Sequence, residues 1–122
     1  MGVPLRSGDD LLEQARRTIT RLTPAEAHAA SLEGAVLVDV RSGDEQREQG
    51  VLVPGAQAHP LSVALWRLVS LSRETKVILL CRHGYSSGFA AAQLRELGFE
   101  HVGDVIGGVE AWQAAGLPVE PV

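Results

Sequence analysis

Cys81 is the protein's only cysteine, and its neighbours are the residues best suited to covalent chemistry. Lys76 to Gly88 reads K-V-I-L-L-C-R-H-G-Y-S-S-G. Val77 to Leu80 form a short, unbroken apolar run, the pattern of a strand buried on both faces in a parallel sheet. Cys81 ends that run. Arg82, His83, Gly84, Tyr85, Ser86, Ser87 and Gly88 follow as a small, polar and basic loop, and the Ala-rich segment Phe89 to Leu97 reads as a helix. Strand, turn and helix in this order place the sulfur at a strand's C-terminal end, facing loop amides and a helix N-terminus. Unpaired amide hydrogens and the positive end of a helix attract negative charge, and Arg82 acts in the same direction. This setting favours thiolate over thiol, and so a nucleophile over an inert buried sulfur. The plainer alternative, a cysteine serving as a small core hydrophobe, fits less well because Cys81 opens a loop instead of lying inside the run.

The elements around the loop follow from punctuation and periodicity. Asp9 to about Thr18 reads as a helix, with acids first and arginines last. Ile19 to Leu22 reads as an edge strand. Thr23-Pro24-Ala25-Glu26 is a helix start, with Thr23 as cap and Glu26 completing a capping box, and that helix ends near Gly34. Ala35 to Val40 is a second buried strand, delivering Asp39 and Arg41 where it leaves the core. Ser42 to Glu48 is a solvated turn of helix. Gly50 to Ala56, interrupted by Pro54-Gly55, is expected to cross back to the sheet as a brief strand or loop. Ser62 to Leu71 reads as a helix capped by Ser62, Val102 to Ile106 as a last short strand, and Val109 to Ala115 as a final helix. Alternating strands and helices predict an α/β fold with a mainly parallel sheet. Ligands of such sheets lie beyond the strands' carboxyl ends, where Cys81 and Asp39 fall.

Composition sets the outer bounds. The length of 122 residues and 45% hydrophobic content fit one folded domain. The formal charge of −4 with no basic stripe argues against nucleic-acid binding. No apolar run nears the ~20 residues that span a bilayer, and M-G-V-P-L-R-S-G-D-D lacks a signal-peptide core. A lone cysteine permits no internal disulfide and points to a reducing, cytoplasmic setting. It also leaves no resolving thiol in the chain, so sulfur chemistry would be completed by an outside molecule or a second subunit. The four histidines show no metal-ligand spacing; no metal or cofactor is expected, and all but His83 are assigned to surface or loops.

Four pieces, taken in order, resemble the rhodanese family of sulfurtransferases. L-V-D-V-R at Leu37 to Arg41 resembles the family's first strand signature. G-V-L-V-P-G-A at Gly50 to Ala56 resembles its G-H-I-P-G-A, with one extra residue and no His. C-R-H-G-Y-S-S at Cys81 to Ser87 matches the active loop C-R-x-G-x-x-S. G-G-V-E-A-W-Q-A-A-G-L-P-V at Gly107 to Val119 matches the closing motif. Each is weak alone; their order and spacing, from about Leu22 to Val119, are specific.

The resemblance implies a rhodanese-like fold, a central, mainly parallel five-stranded sheet flanked by helices on both faces. It divides the chain into a helical extension, residues 1–19, and the domain itself, residues 20–122. It implies that Cys81 takes a sulfane sulfur from thiosulfate or a related donor, holds it as a persulfide and passes it to cyanide or a thiol. The partners would then be a small anionic donor and a thiophilic acceptor, with no nucleic acid and no membrane. Arg82, His83, Gly84, Tyr85, Ser86 and Ser87 would form the substrate-binding loop, the serine hydroxyls adding donors and Gly84 supplying backbone freedom. Ser86 stands where many single-domain members carry Arg, so Arg82 and His83 are the basic residues nearest the nucleophile in sequence. Protonated His83 would assist anion binding, the alternative being a solvent-exposed loop histidine. Asp39 and Arg41 are given supporting roles, Asp39 bonding loop amides and Arg41 pairing with Glu45 or Glu48. Trp66 is assigned to core or pocket wall, Trp112 to core, and Tyr85 to the pocket mouth or the surface. Other functions on this framework are a persulfide carrier or binding module, and a phosphatase or arsenate reductase. The last two need Cys-x5-Arg for a bidentate anion clamp, and Ser87 holds that position.

Overall fold

The structure, a computed structural model, describes residues 7–122; the N-terminal stretch M-G-V-P-L-R, read above for signal-peptide character, lies outside the described residues. In chain order the elements are α1 (Gly8–Arg16), β1 (Thr20–Leu22), α2 (Pro24–Leu32), β2 (Val36–Asp39), α3 (Gly43–Gln49), β3 (Val51–Leu52), β4 (Gln57–Ala58), α4 (Leu61–Leu68), β5 (Lys76–Leu80), α5 (Ser86–Glu96), β6 (His101–Val105), α6 (Gly108–Ala114) and β7 (Glu120–Pro121). The main sheet has five strands in the order β1-β6-β5-β2-β4, and all of its pairings are parallel. The apolar runs of β2 and β5 lie next to each other inside it, as their unbroken hydrophobicity requires.

Side chains alternate across a strand, so β5 feeds two cores at once. Val77, Leu79 and Cys81 join Val38 and Val40 in a cluster closed by Ala64 and Leu68 of α4 and Ala90, Ala91 and Leu94 of α5. Ile78 and Leu80 turn the other way, to Ala27 and Ala30 of α2 and Val109 and Trp112 of α6. Helices therefore cover both faces. The sulfur belongs by pleat to the α4/α5 side, which is also where the helix following its loop must pack.

Local signals account for most helix ends. Thr23 and Glu26 form the capping box at α2; the Thr23 backbone N–H, and then its hydroxyl, hold the Glu26 carboxyl below its usual range. Ser42 and Glu45 repeat the motif at α3. Several expectations are corrected. α4 begins one residue early, with Pro60 at its N-cap and no side-chain capping bond, so Ser62 is not the cap: proline's fixed φ already sets the entry. Trp66 is 75% exposed and belongs to neither core nor pocket wall; the α4 core positions are taken by Ala64 and Leu68. The segment expected to rejoin the main sheet divides its work. Val51 and Leu52 pair antiparallel with Pro121 and Glu120 in a separate two-stranded ribbon, and Gln57–Ala58 makes the sheet contact to β2. Pro54-Gly55 separates the two tasks. β6 is consequently not the last strand. α5 begins at Ser86, a turn before the Ala-rich segment. Trp112 is core, as expected, with its indole N–H donating to the Pro118 carbonyl at 2.9 Å. Among the described residues, no helix is long and apolar enough to cross a membrane.

Candidate active site

Cys81 follows directly on β5 and is nearly enclosed, at 3% exposure. The Gly84 backbone N–H donates to Sγ at 3.0 Å. That bond needs the chain to double back within three residues, and it does so with Gly84 at φ 90°. A Cβ at Gly84 would lie 2.7 Å from the Gly107 nitrogen, so glycine is required by conformation and by space. Gly84 is the loop amide that reaches the sulfur; the Gly88 amide is instead donated to the Tyr85 carbonyl. The loop amides expected to face the sulfur thus reduce to one. One amide hydrogen suits a sulfur anion, and the start of α5 lies beyond it.

The loop is held from below by α6. The Val109 N–H donates to the Cys81 carbonyl at 2.8 Å and the Glu110 N–H to that of Arg82 at 3.2 Å. Gly107 and Gly108 permit this approach, both at positive φ. A Cβ on Gly108 would stand 2.3 Å from the Cys81 carbonyl oxygen. Gly108→Ala is accordingly expected to push α6 off the loop, costing about 2–4 kcal/mol in stability and most of any Cys81-dependent activity; thermal melting with a sulfur-transfer assay checks both.

On the other side of the sulfur lies a buried polar chain. The Cys81 thiol is 3.2 Å from Ser87 Oγ, and the Ser87 hydroxyl is 2.9 Å from Asp104 Oδ2. Ser87 and Asp104 are fully buried. Asp104 accepts from Arg21, Nε to Oδ1 at 3.0 Å and Nη2 to Oδ2 at 3.3 Å. With its hydrogen directed to a carboxylate, Ser87 presents a lone pair to the thiol. It is therefore an acceptor toward the thiol, whereas the sequence reading expected a donor. Asp104 and Arg21 were missed by sequence reasoning. The available signal was an acid inside the apolar run V-G-D-V of β6, since a fully buried carboxylate must find a partner.

The remaining loop residues are less enclosed, Arg82 and Ser86 half-buried and His83 and Tyr85 exposed. Arg82 reaches Glu48 on α3, Nη1 to Oε2 at 2.5 Å. His83 Nδ1 lies 2.6 Å from Glu110 Oε2, both side chains about half or more exposed. Tyr85 is exposed and, with His83, Gly107, Glu110 and Ala111, lines an open hollow beside the loop. Ser86 opens α5. Asp39 and Arg41 are paired with each other. Arg41 Nη2 donates to Asp39 Oδ2 at 2.7 Å, and its Nε reaches both carboxylate oxygens. Arg41 also bonds Gln49 Oε1 and the Val51 carbonyl, each at 3.0 Å. The expected partners of Arg41 are thereby corrected: Glu45 is occupied in its capping box and Glu48 by Arg82. Asp39 accepts from the backbone N–H of Arg41 itself and from the Gln46 side-chain amide on α3, not from the amides of the Cys81 loop. The pair joins the end of β2 to α3 and β3.

Residues 23–115 match the family model described as the Rhodanese-like domain. The chain belongs to the rhodanese-like family. Curated relatives agree. The thiosulfate sulfurtransferase GlpE of Actinobacillus pleuropneumoniae serotype 5b is 35% identical over 105 residues, covering 84% of this chain and 94% of that one. The GlpE of Actinobacillus succinogenes is 38% identical, covering 83% and 90%. A protein named sulfurtransferase from Allochromatium vinosum is 33% identical, covering 74% and 82%. Among solved structures, the polysulfide-sulfur transferase homodimer of Wolinella succinogenes superposes with a TM-score of 0.77 at 26% identity, over 90% of this chain and 84% of that one. A Rhodopseudomonas palustris protein of unknown function, described as a possible tyrosine phosphatase, gives a TM-score of 0.83 at 28% identity, over 98% and 100%. Within the rhodanese-like family, then, this chain is of single-domain size and similar to enzymes named for sulfur transfer.

Proposed function

We propose that this rhodanese-like protein is a sulfurtransferase of the thiosulfate type, working through a persulfide on Cys81. The Cys81 thiolate attacks the outer sulfur of thiosulfate; a bond forms between the two sulfurs, the thiosulfate S–S bond breaks, and its electron pair leaves with sulfite. An acceptor nucleophile, cyanide or a thiol, then attacks the outer sulfur of the persulfide. The bond to Cys81 breaks, the thiolate is restored, and thiocyanate or a new persulfide departs. The observation that carries this reading is the Gly84 amide, held by an otherwise disfavoured backbone conformation within hydrogen-bond distance of the sulfur. A donor fixed there stabilises the negative charge that Cys81 carries before it attacks and regains when the persulfide is discharged.

The same loop is poor material for phosphoryl chemistry. The position six residues after the cysteine is Ser87, enclosed and bonded toward Asp104, and no guanidinium stands there to clamp a phosphoryl group. The decisive experiment is intact-protein mass spectrometry after exposure to thiosulfate. A gain of one sulfur, removed by cyanide and absent once Cys81 is alkylated, is the expected result; no gain with thiosulfate, mercaptopyruvate or glutathione persulfide overturns the proposal.

The mouth also sets a charge balance. The two basic residues next to the sulfur in sequence are both engaged by acids, Arg82 by Glu48 and His83 by Glu110, which offsets their attraction for a dianion. Glu110→Gln is expected to lower the thiosulfate KM about two- to fivefold, the size of one exposed ion pair. His83→Gln is expected to leave it within about twofold. Steady-state assays at low ionic strength make the comparison.

A further inference from the structure

Two arginines preceding the family-matched residues 23–115 converge on the sulfur loop. Arg16, in the last turn of α1, donates from Nη2 to the Gly84 carbonyl at 3.1 Å. Arg21, at the centre of β1, reaches the same oxygen at 3.4 Å while also bonding Asp104. The Arg16 guanidinium lies 6.0 Å from the centre of the Tyr85 ring. Gly84 is the residue whose amide meets the sulfur, so one glycine faces the reacting atom with its N–H and both guanidinium groups with its carbonyl.

This convergence is built in. Parallel pairing sets Arg21 directly beside Asp104. Leu12 of α1 is buried and lies against Gly88, where a Cβ would come within 3.1 Å of Leu12 Cδ1 and 3.8 Å of Arg16 Cγ. The absence of a side chain at Gly88 therefore lets α1 lie across the first turn of α5, which brings Arg16 to the loop.

We infer that Arg16 and Arg21, which precede the family-matched residues 23–115, are positioning residues of the active site. They pin the backbone of Gly84, which as glycine has most freedom to drift, and keep its amide aimed at Cys81. Arg16 brings a positive charge to a site that receives an anion; the charge of Arg21 is matched by Asp104. The consequence for turnover rests on the sulfur-transfer reading, but the reactivity of Cys81 does not.

Cys81 alkylation by neutral iodoacetamide and anionic iodoacetate provides the test, since local charge moves the ratio of the two rates, a misaimed Gly84 amide lowers both with the melting temperature unchanged, and a general loosening lowers the melting temperature as well. Arg16→Gln is expected to lower the iodoacetate-to-iodoacetamide rate ratio about fivefold, and Arg16→Lys, which keeps the charge, to restore most of it. Arg21→Lys retains the pair with Asp104 but lacks the fork that also reaches Gly84; both rates are expected to fall about threefold, the size of a typical net hydrogen bond, with the ratio unchanged. Thermal melting confirms that each variant is folded. An unchanged ratio in Arg16→Gln, or wild-type rates in Arg21→Lys, overturns the inference. If wild-type protein takes no sulfur from donors yet the alkylation pattern appears, the functional proposal fails and this assignment stands.

Discussion

Cys81→Ser is expected to abolish sulfur transfer, with a loss of about 10⁴-fold or more in kcat/KM, while the protein stays folded. The loss is large because the reaction leaves no step that another group can perform. A serine hydroxyl is un-ionised near neutral pH, and oxygen does not form the sulfur–sulfur bond on which transfer depends. The fold should tolerate the change because a hydroxyl there meets ready partners, the Gly84 N–H as donor and Ser87 Oγ on its other side. An unpartnered buried hydroxyl would cost more; with both partners the cost should stay near 1 kcal/mol. Thiocyanate formation from thiosulfate and cyanide, measured beside a thermal melt, gives both values. Substantial activity in the variant sinks the mechanism.

The largest effect on stability is expected at Arg41, away from the sulfur. Arg41 and Asp39 are 1% and 2% exposed, and the guanidinium bonds Asp39, Gln49 and the Val51 carbonyl together. Methionine fills similar volume but leaves the Asp39 carboxylate buried without a cation and the Val51 carbonyl without this donor. Breaking such a pair from one side costs about 3–5 kcal/mol, or roughly 10–20 °C in melting temperature for a domain of this size. Asp39→Leu combined with Arg41→Met removes both charges and should recover much of that loss, since a paired buried ion is weakly stabilising compared with an apolar replacement. Denaturant titration of the single and double variants checks the sign. A single variant that melts within a few degrees of wild type would show that Arg41 is dispensable.

The central strands, the position of Cys81 at the end of one and the glycine-dependent loop were legible because each rests on a local pattern: an apolar run, a change to polar residues, a glycine three positions on. What escaped depends on pairing between distant parts of the chain. Asp104 and Arg21 stand 83 positions apart, and only the parallel register of β1 on β6 makes them neighbours. Arg41 met the same limit in reverse. Its position on the chain suggests an acid one or two helical turns onward, at Glu45 or Glu48, but the partner lies two residues back, on the strand it has just left. The direction of Ser87 followed from Asp104 and was lost with it. Trp66 shows why size is a weak guide to burial: α4 turns its small and branched residues to the sheet and leaves its largest ring outside.

The chain's two tryptophans differ almost as far as they can, Trp112 being 1% and Trp66 75% exposed. Trp112 belongs to α6, whose opening amides grip the Cys81 and Arg82 carbonyls. The molecule thus carries an internal fluorophore on the floor of its reactive loop and an external one on α4, which packs on the other face of the sheet, as a solvent reference. Acrylamide should quench the blue-shifted emission of the first poorly and the red-shifted emission of the second readily, so a loosening of the loop's support can be followed optically without adding a label.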